Sequence, residues 1–172
     1  VREPRDEVDD LVDAWARERP DLDTSPMEVL SRVDRLARHV DRARAAAFSR
    51  HQLEGWEFDV LAALRRSGEP YRASPGSLVR ATGVTSGTMT NRVDRLAARG
   101  LVRRDSDPDD RRSVRVELTE QGRTTVDGAL VDLLGAEHEL LAALDDPGRR
   151  RLAGALRELL ASYAAPGSAD DG

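Results

Sequence analysis

A chain of 172 residues has room for one compact domain, or for a reading head with an oligomerisation lobe, but hardly for two independent domains. It contains no cysteine, which excludes disulfides, thiolate metal sites, cysteine nucleophiles and cysteine-based peroxide sensing. The net charge is −5, yet Arg80 to Arg115 carries nine Arg against five Asp, while Val1 to Ser31 carries ten acids against four Arg; a positive middle between acidic flanks suggests a localised DNA-facing surface.

Val8, Leu11, Val12 and Trp15 follow the spacing of a helical apolar stripe, so residues 1–20 are expected to hold a short helix that ends at Pro20. Ser25-Pro26-Met27-Glu28 reads as a capping box with Ser25 as N-cap. It opens a long helix through Leu30, Val33, Leu36, Ala37 and Val40 to about Phe48, within a dimerisation segment over 26–54. The next helix carries Trp56, Val60, Leu61 and Leu64 on one face and Phe58 on another, so both sides are expected to be buried. Ser74-Pro75 starts a helix with Leu78 and Val79, Gly83 supplies a tight turn, and Thr85 opens a further helix that runs to a C-cap at Gly100.

Leu101 to Arg104 and Val114 to Leu118 read as two short strands, the only β signal, with Asp105 to Arg112 as the hairpin tip between them. Two leucine-rich helices finish the pattern over 119–164, one from about Glu120 to Leu144 and one capped by Asp146-Pro147; they are expected to form C-terminal dimerisation helices. Residues 165–172 have the composition of a disordered tail. The fold class expected is mainly α with a small β-hairpin wing, a winged helix-turn-helix over 55–118 joined to a helical dimerisation lobe.

On the helix after Gly83, placing Met89, Val93, Leu96 and Ala97 inward turns Gly87, Thr88, Asn91 and Arg95 outward. That outer face suits a major groove: small residues allow close approach, an amide reads adenine, and a guanidinium contacts guanine or phosphate. Ser86, Thr88, Thr90, Asn91 and Arg95 are the candidate DNA contacts on the helix, and Asp110, Arg111 and Arg112 those at the hairpin tip, where a thin loop reaches a minor groove or backbone. Asp residues crowd that tip, and an Asp paired with an Arg fixes the direction of its guanidinium.

The run Asp110-Arg111-Arg112-Ser113-Val114-Arg115-Val116-Glu117-Leu118-Thr119-Glu120-Gln121-Gly122 resembles the Asp-x-Arg-Ser-x-x-x-x-Leu-Thr-x-x-Gly wing signature of the MarR family. Ser86 to Val93 resembles that family's recognition helix, and the likeness extends over roughly Pro26 to Tyr163. The resemblance implies a homodimer joined through its terminal helices, which binds a pseudopalindromic operator and usually represses. It also implies that Arg112 enters the minor groove while Asp110 holds it.

The added helix with Trp15 further resembles the urate-responsive subgroup, whose ligand set would fall here on Trp15, Asp59, Arg92 and Arg104. An anion held by the two arginines with its ring covered by Trp15 would satisfy charge and stacking together. Several readings stay open beside this one. The effector is urate, trans-aconitate or another small aromatic or carboxylate anion; Trp15 and Asp59 are ligand contacts or purely structural; and Arg103 competes with Arg104, because a shift of one residue on a strand reverses its face.

An enzyme is not expected, since no strained nucleophile turn, catalytic carboxylate pair or phosphate-cradling loop accompanies the Ser, His and Asp residues. His39, His51 and His138 lack ligand spacing, so no metal and no cofactor are expected. No apolar run approaches the roughly 18 residues of a membrane span, and the acidic start lacks signal-peptide character, which places the expected protein in the cytoplasm without a membrane partner.

Overall fold

A computed structural model of the chain describes residues 5–106 and 114–163. The elements run α1 (Glu7–Glu18), α2 (Ser25–Ser49), α3 (Gly55–Arg66), β1 (Arg72–Ala73), α4 (Pro75–Thr82), α5 (Ser86–Ala98), β2 (Val102–Ser106), β3 (Val114–Leu118), α6 (Glu120–Leu140) and α7 (Asp146–Ala161). The chain divides into two compact units, Val1–Ala136 and Glu137–Gly172. Most of the structure is helical, and the small sheet has the order β1-β3-β2 with antiparallel neighbours.

The core of the first unit lies among α3, α4, α5 and the sheet. Leu61, Leu64, Leu78, Met89, Val93, Leu96, Leu101 and Val116 are all fully buried there, and Val126 of α6 packs into the same cluster. Phe58 is buried as well, on the side of α3 away from Trp56, where it stacks on Phe48 of α2 with ring centroids 4.3 Å apart. Both faces of α3 are therefore engaged, as its apolar pattern implied. Offset stacking of this kind adds to the simple gain from area burial.

Local signals fix the helix-turn-helix. Ser74 accepts the Ser77 N–H at 3.1 Å ahead of Pro75, a side-chain oxygen in place of a missing helical acceptor. The end of α4 is Gly83 at φ +68, a left-handed cap that glycine adopts without penalty. Thr85 then caps α5 through the Thr88 N–H at 3.3 Å.

In four places the chain departs from the sequence reading. The start of α2 is capped differently: Ser25 is the first helical residue, no Ser25 capping box forms, and its N–H donates to Asp23 at 3.0 Å. A carboxylate two residues upstream satisfies that donor without a capping hydroxyl. The helix expected to reach Leu144 ends at Leu140, followed by a turn. The cap of α7 is Asp145, which accepts the Gly148 N–H at 2.7 Å, not Asp146; two adjacent Asp offer the same chemistry, and backbone geometry selects between them. Finally, the hairpin is not the whole sheet, because Arg72 and Ala73 pair with Glu117 and Val116. A two-residue strand has no readable alternation, and it exists here because β3 has a free edge to pair with.

Helix α1 docks on α2 by charge as much as by apolar contact. Val8 is buried, while Arg32 donates to Asp6 at 2.8 and 2.9 Å and to Asp9 at 2.8 Å, and Arg35 donates to Glu7 at 2.6 Å. The Arg32 guanidinium holds the Asp6 carboxyl down at about 2, with help from the Val8 and Asp9 backbone N–H groups. No helix among the described residues is long and apolar enough to cross a membrane.

Candidate nucleic-acid interface

The site begins with the amphipathy of α5. Met89, Val93 and Leu96 are fully buried and Ala97 half-buried, while Ser86, Gly87, Thr88, Thr90, Asn91 and Arg95 lie on the exposed side. With about 100° per residue, burial of one stripe against α3 and α4 obliges the other to face outward. Nothing stands within 4 Å of where a Gly87 side chain would begin, so that turn offers an unobstructed approach.

Both threonine hydroxyls of this helix are already employed. The Thr88 hydroxyl is 2.9 Å from that of Thr85, and Thr90 donates its hydroxyl to the Ser86 carbonyl at 3.1 Å. Such intrahelical bonds order the first turns and leave the remaining lone pairs available. Asn91 sits one turn on, with an exposed side chain.

Arg95, expected to face outward, does so while resting on a neighbour. Its guanidinium lies 4.7 Å from the centre of the Trp56 ring and 3.4 Å from a Glu54 carboxylate oxygen. Arg92 shares the same indole at 5.4 Å. Further along the stripe, Arg99 donates to Glu57 at 2.6 Å and to the Gln52 carbonyl at 2.8 Å. Glu57 is only 2% exposed and also accepts the Glu54 N–H at 2.9 Å, so its charge has two strong partners. The spacing of Arg92, Arg95 and Arg99 thus lays one side of α5 along residues 52–57.

Glu54, Glu57 and Arg99 escaped the sequence reading, while Arg92, Arg95 and Trp56 entered it in other roles. The signal was Glu57 set inside the apolar Trp56 to Leu64 run, where an acid needs a partner to be buried, together with three arginines at helical spacing.

The two strand arginines point to opposite sides, as alternation requires. Arg104 donates to the Thr90 carbonyl at 3.2 Å and meets Asp94 at 2.9 Å, both on α5. Arg103 pairs instead with Glu117 at 2.8 Å and Asp105 at 3.1 Å. Of the two, Arg104 is therefore the one turned toward the helix.

Three of the four residues expected to surround a ligand are engaged elsewhere, and the fourth, Trp15, is exposed. Asp59 lies 3.7 Å from Arg44, Arg92 stacks on Trp56, Arg104 holds α5, and Trp15 is 46% exposed on α1. No hydrogen bond or ion pair among the described residues joins any two of the four. Asp110, Arg111 and Arg112 lie outside the described residues. Below the hairpin, Thr119 donates its hydroxyl to the Gly100 carbonyl at 2.7 Å and accepts the Gly122 N–H at 3.0 Å. That half of the sequence signature is a structural joint.

A family model described as MarR family matches residues 51–113. The HTH-type transcriptional regulator PecS of Dickeya dadantii (strain 3937) is 38% identical over 146 residues, covering 85% of this chain and 88% of that protein. A solved structure of a mutant MarR from E. coli, complexed with operator DNA, is 25% identical with a TM-score of 0.66, covering 81% of this chain and 99% of that one. The Bordetella bronchiseptica protein BpsR, solved in work on regulation of its DNA binding by 6-hydroxynicotinic acid, is 30% identical with a TM-score of 0.57, covering 74% of this chain and 98% of that one.

Proposed function

The chain belongs to the MarR family of transcriptional regulators, and on that footing we propose that it is a homodimeric repressor whose α5 reads a pseudopalindromic operator and which a small anion releases. It is a regulator and not an enzyme, as its relatives are. The observation that carries the proposal is the exposed face of α5, with Ser86, Thr88, Thr90, Asn91 and Arg95 turned outward while Met89, Val93 and Leu96 anchor the helix from behind. Asn91 would read adenine and Arg95 guanine, the pairings that major-groove geometry favours. From the wing, Arg111 and Arg112 would reach the neighbouring groove, with Arg112 directed by Asp110.

Fluorescence anisotropy against a duplex from the chain's own upstream region tests this reading. The expected result is nanomolar-range, strongly salt-dependent binding, with the Arg112→Ala protein about tenfold weaker and still folded. Equal competition by random duplex would refute sequence recognition.

For the effector, the reading is a small aromatic or carboxylate anion such as urate, held by Arg92 and Arg104 and covered by Trp15, with Asp59 completing the set. The likeness to BpsR supports an anionic ring as the chemical class. Binding must favour a state poorly suited to DNA, since only a difference in affinity between states shifts the population. The test is a urate titration followed by tryptophan fluorescence in the Trp56→Phe protein, which removes the indole beneath Arg92. Quenching should persist there, and Trp15→Phe should weaken urate binding measured by calorimetry; no response to urate, trans-aconitate or 6-hydroxynicotinate would refute the effector class alone. The Arg44–Asp59 ion pair favours a second reading of one position, in which Asp59 ties α3 to α2 and leaves anion binding to the arginines; Asp59→Ser would then lower stability with little change in affinity for the anion.

A further inference from the structure

We propose that Glu54 and Trp56 are positioning residues for operator recognition, holding Arg95 ready on the outer face of α5 so that it reads one base pair; this rests on the reading of α5 as the DNA-contacting helix. The arrangement is a chain of three groups. The Glu54 carboxylate accepts the indole N–H of Trp56, which fixes its direction, and a second oxygen of the same carboxylate meets the Arg95 guanidinium at 3.4 Å. Arg95 in turn lies 4.7 Å above the Trp56 ring. Each group orients the next.

A stacked guanidinium is held at its face; Glu54 takes one N–H of its Nη2, and the other edge N–H groups remain to donate. Such an edge is the one that pairs with a base in two parallel hydrogen bonds. An arginine left free would have to give up its rotamer freedom at the moment of binding, and a pre-placed one loses less. Trp56 can serve as the plate because it is itself half-buried and packed against the core, so it is no more mobile than the helix it supports. Glu54 heads α3, where the buried Glu57 carboxylate takes its backbone N–H; the head of the chain of contacts is therefore fixed as well.

The charge of Glu54 sharpens the inference. A carboxylate beside a DNA-facing surface repels phosphate and weakens binding to any duplex. Its contribution is to discrimination: the same carboxylate that opposes indiscriminate binding directs the arginine that selects a base.

The experiment uses the full chain and a duplex that the wild-type protein enriches from a random-sequence pool, with a random duplex of equal length for comparison. Glu54→Gln keeps an oxygen for the Trp56 N–H and removes the charge that holds Arg95. The expected result is a fall of about fivefold in the ratio of selected to random affinity, with random-duplex binding unchanged or tighter and the melting temperature within a degree or two. In an Arg95→Ala background, Glu54→Gln should leave the ratio unchanged, because the positioned group is gone. A Trp56→Leu protein, checked for folding by circular dichroism, should reproduce the loss.

An unchanged ratio in Glu54→Gln, or the same loss with and without Arg95, would overturn the positioning role while leaving the regulator intact. Tighter binding of the selected duplex would also overturn it, by showing that the pair restrains Arg95. If the wild-type chain enriches no sequence at all, operator recognition fails and the positioning role fails with it.

Discussion

Gly122 has no room for a side chain. A Cβ there would lie 2.0 Å from the Leu101 carbonyl oxygen and 2.9 Å from its carbon, and both are backbone atoms that cannot swing aside. Gly122→Ala is therefore expected to cost about 3 kcal/mol or more by overpacking, read as a lowered urea midpoint at fixed protein concentration. The same joint explains Thr119, whose hydroxyl bridges Gly100 and Gly122. Arg99 supplies a second test at this scale. Removing it leaves the Glu57 carboxylate buried without its cation, so Arg99→Ala should destabilise by about 3 kcal/mol, and Glu57→Gln added to it should restore part of the loss. Sequence motifs pointed to Gly122 but not to Glu57, because a glycine's role is local while an acid's partner on another helix is not written beside it.

Among the helices, α5 was the most legible and α1 the least. The 3.6-residue period of α5 named its buried stripe residue by residue, because one face has only one way to be covered. Helix α1 also showed an apolar stripe, but of that stripe Val8 is buried while Trp15 remains 46% exposed, and charge pairs add to the hold on α2. These pairs make a pH prediction. The Asp6 carboxyl sits at about 2 in the folded chain, below its ordinary value near 4, so its stabilising contribution is present above the ordinary value and is lost as pH falls through about 2. An NMR titration of the Asp6 carboxyl should find a midpoint near 2, moving toward the ordinary value in Arg32→Gln. Asp9 is lowered too, by the Asp6 N–H and by Arg32, so it should move in the same direction.

For the whole molecule, a single chain leaves apolar side chains uncovered on α2 and α7. Val29, Leu30, Val33 and Leu36 of α2 are exposed, as are Leu156, Leu159 and Leu160 of α7. Apolar stripes of this extent mark interaction surfaces, and the homodimer proposed above would cover them. Sedimentation should give a particle of twice the chain mass, and Leu156→Glu with Leu160→Glu should lower dimer content and operator affinity together. The order of helices, the helix-turn-helix, the wing strands and the buried face of α5 were all determined by the sequence itself, since periodicity, caps and glycine turns act within a few residues of where they are written. Only the tertiary structure decided that Arg92, Arg95 and Arg99 lean on residues 52–57, that Arg104 rather than Arg103 turns to α5, and that a two-residue β1 completes the sheet. Those outcomes depend on pairs far apart in the chain, 41 residues for Glu54 and Arg95 and 42 for Glu57 and Arg99, or on a one-residue choice of face, and a linear pattern carries neither kind of information.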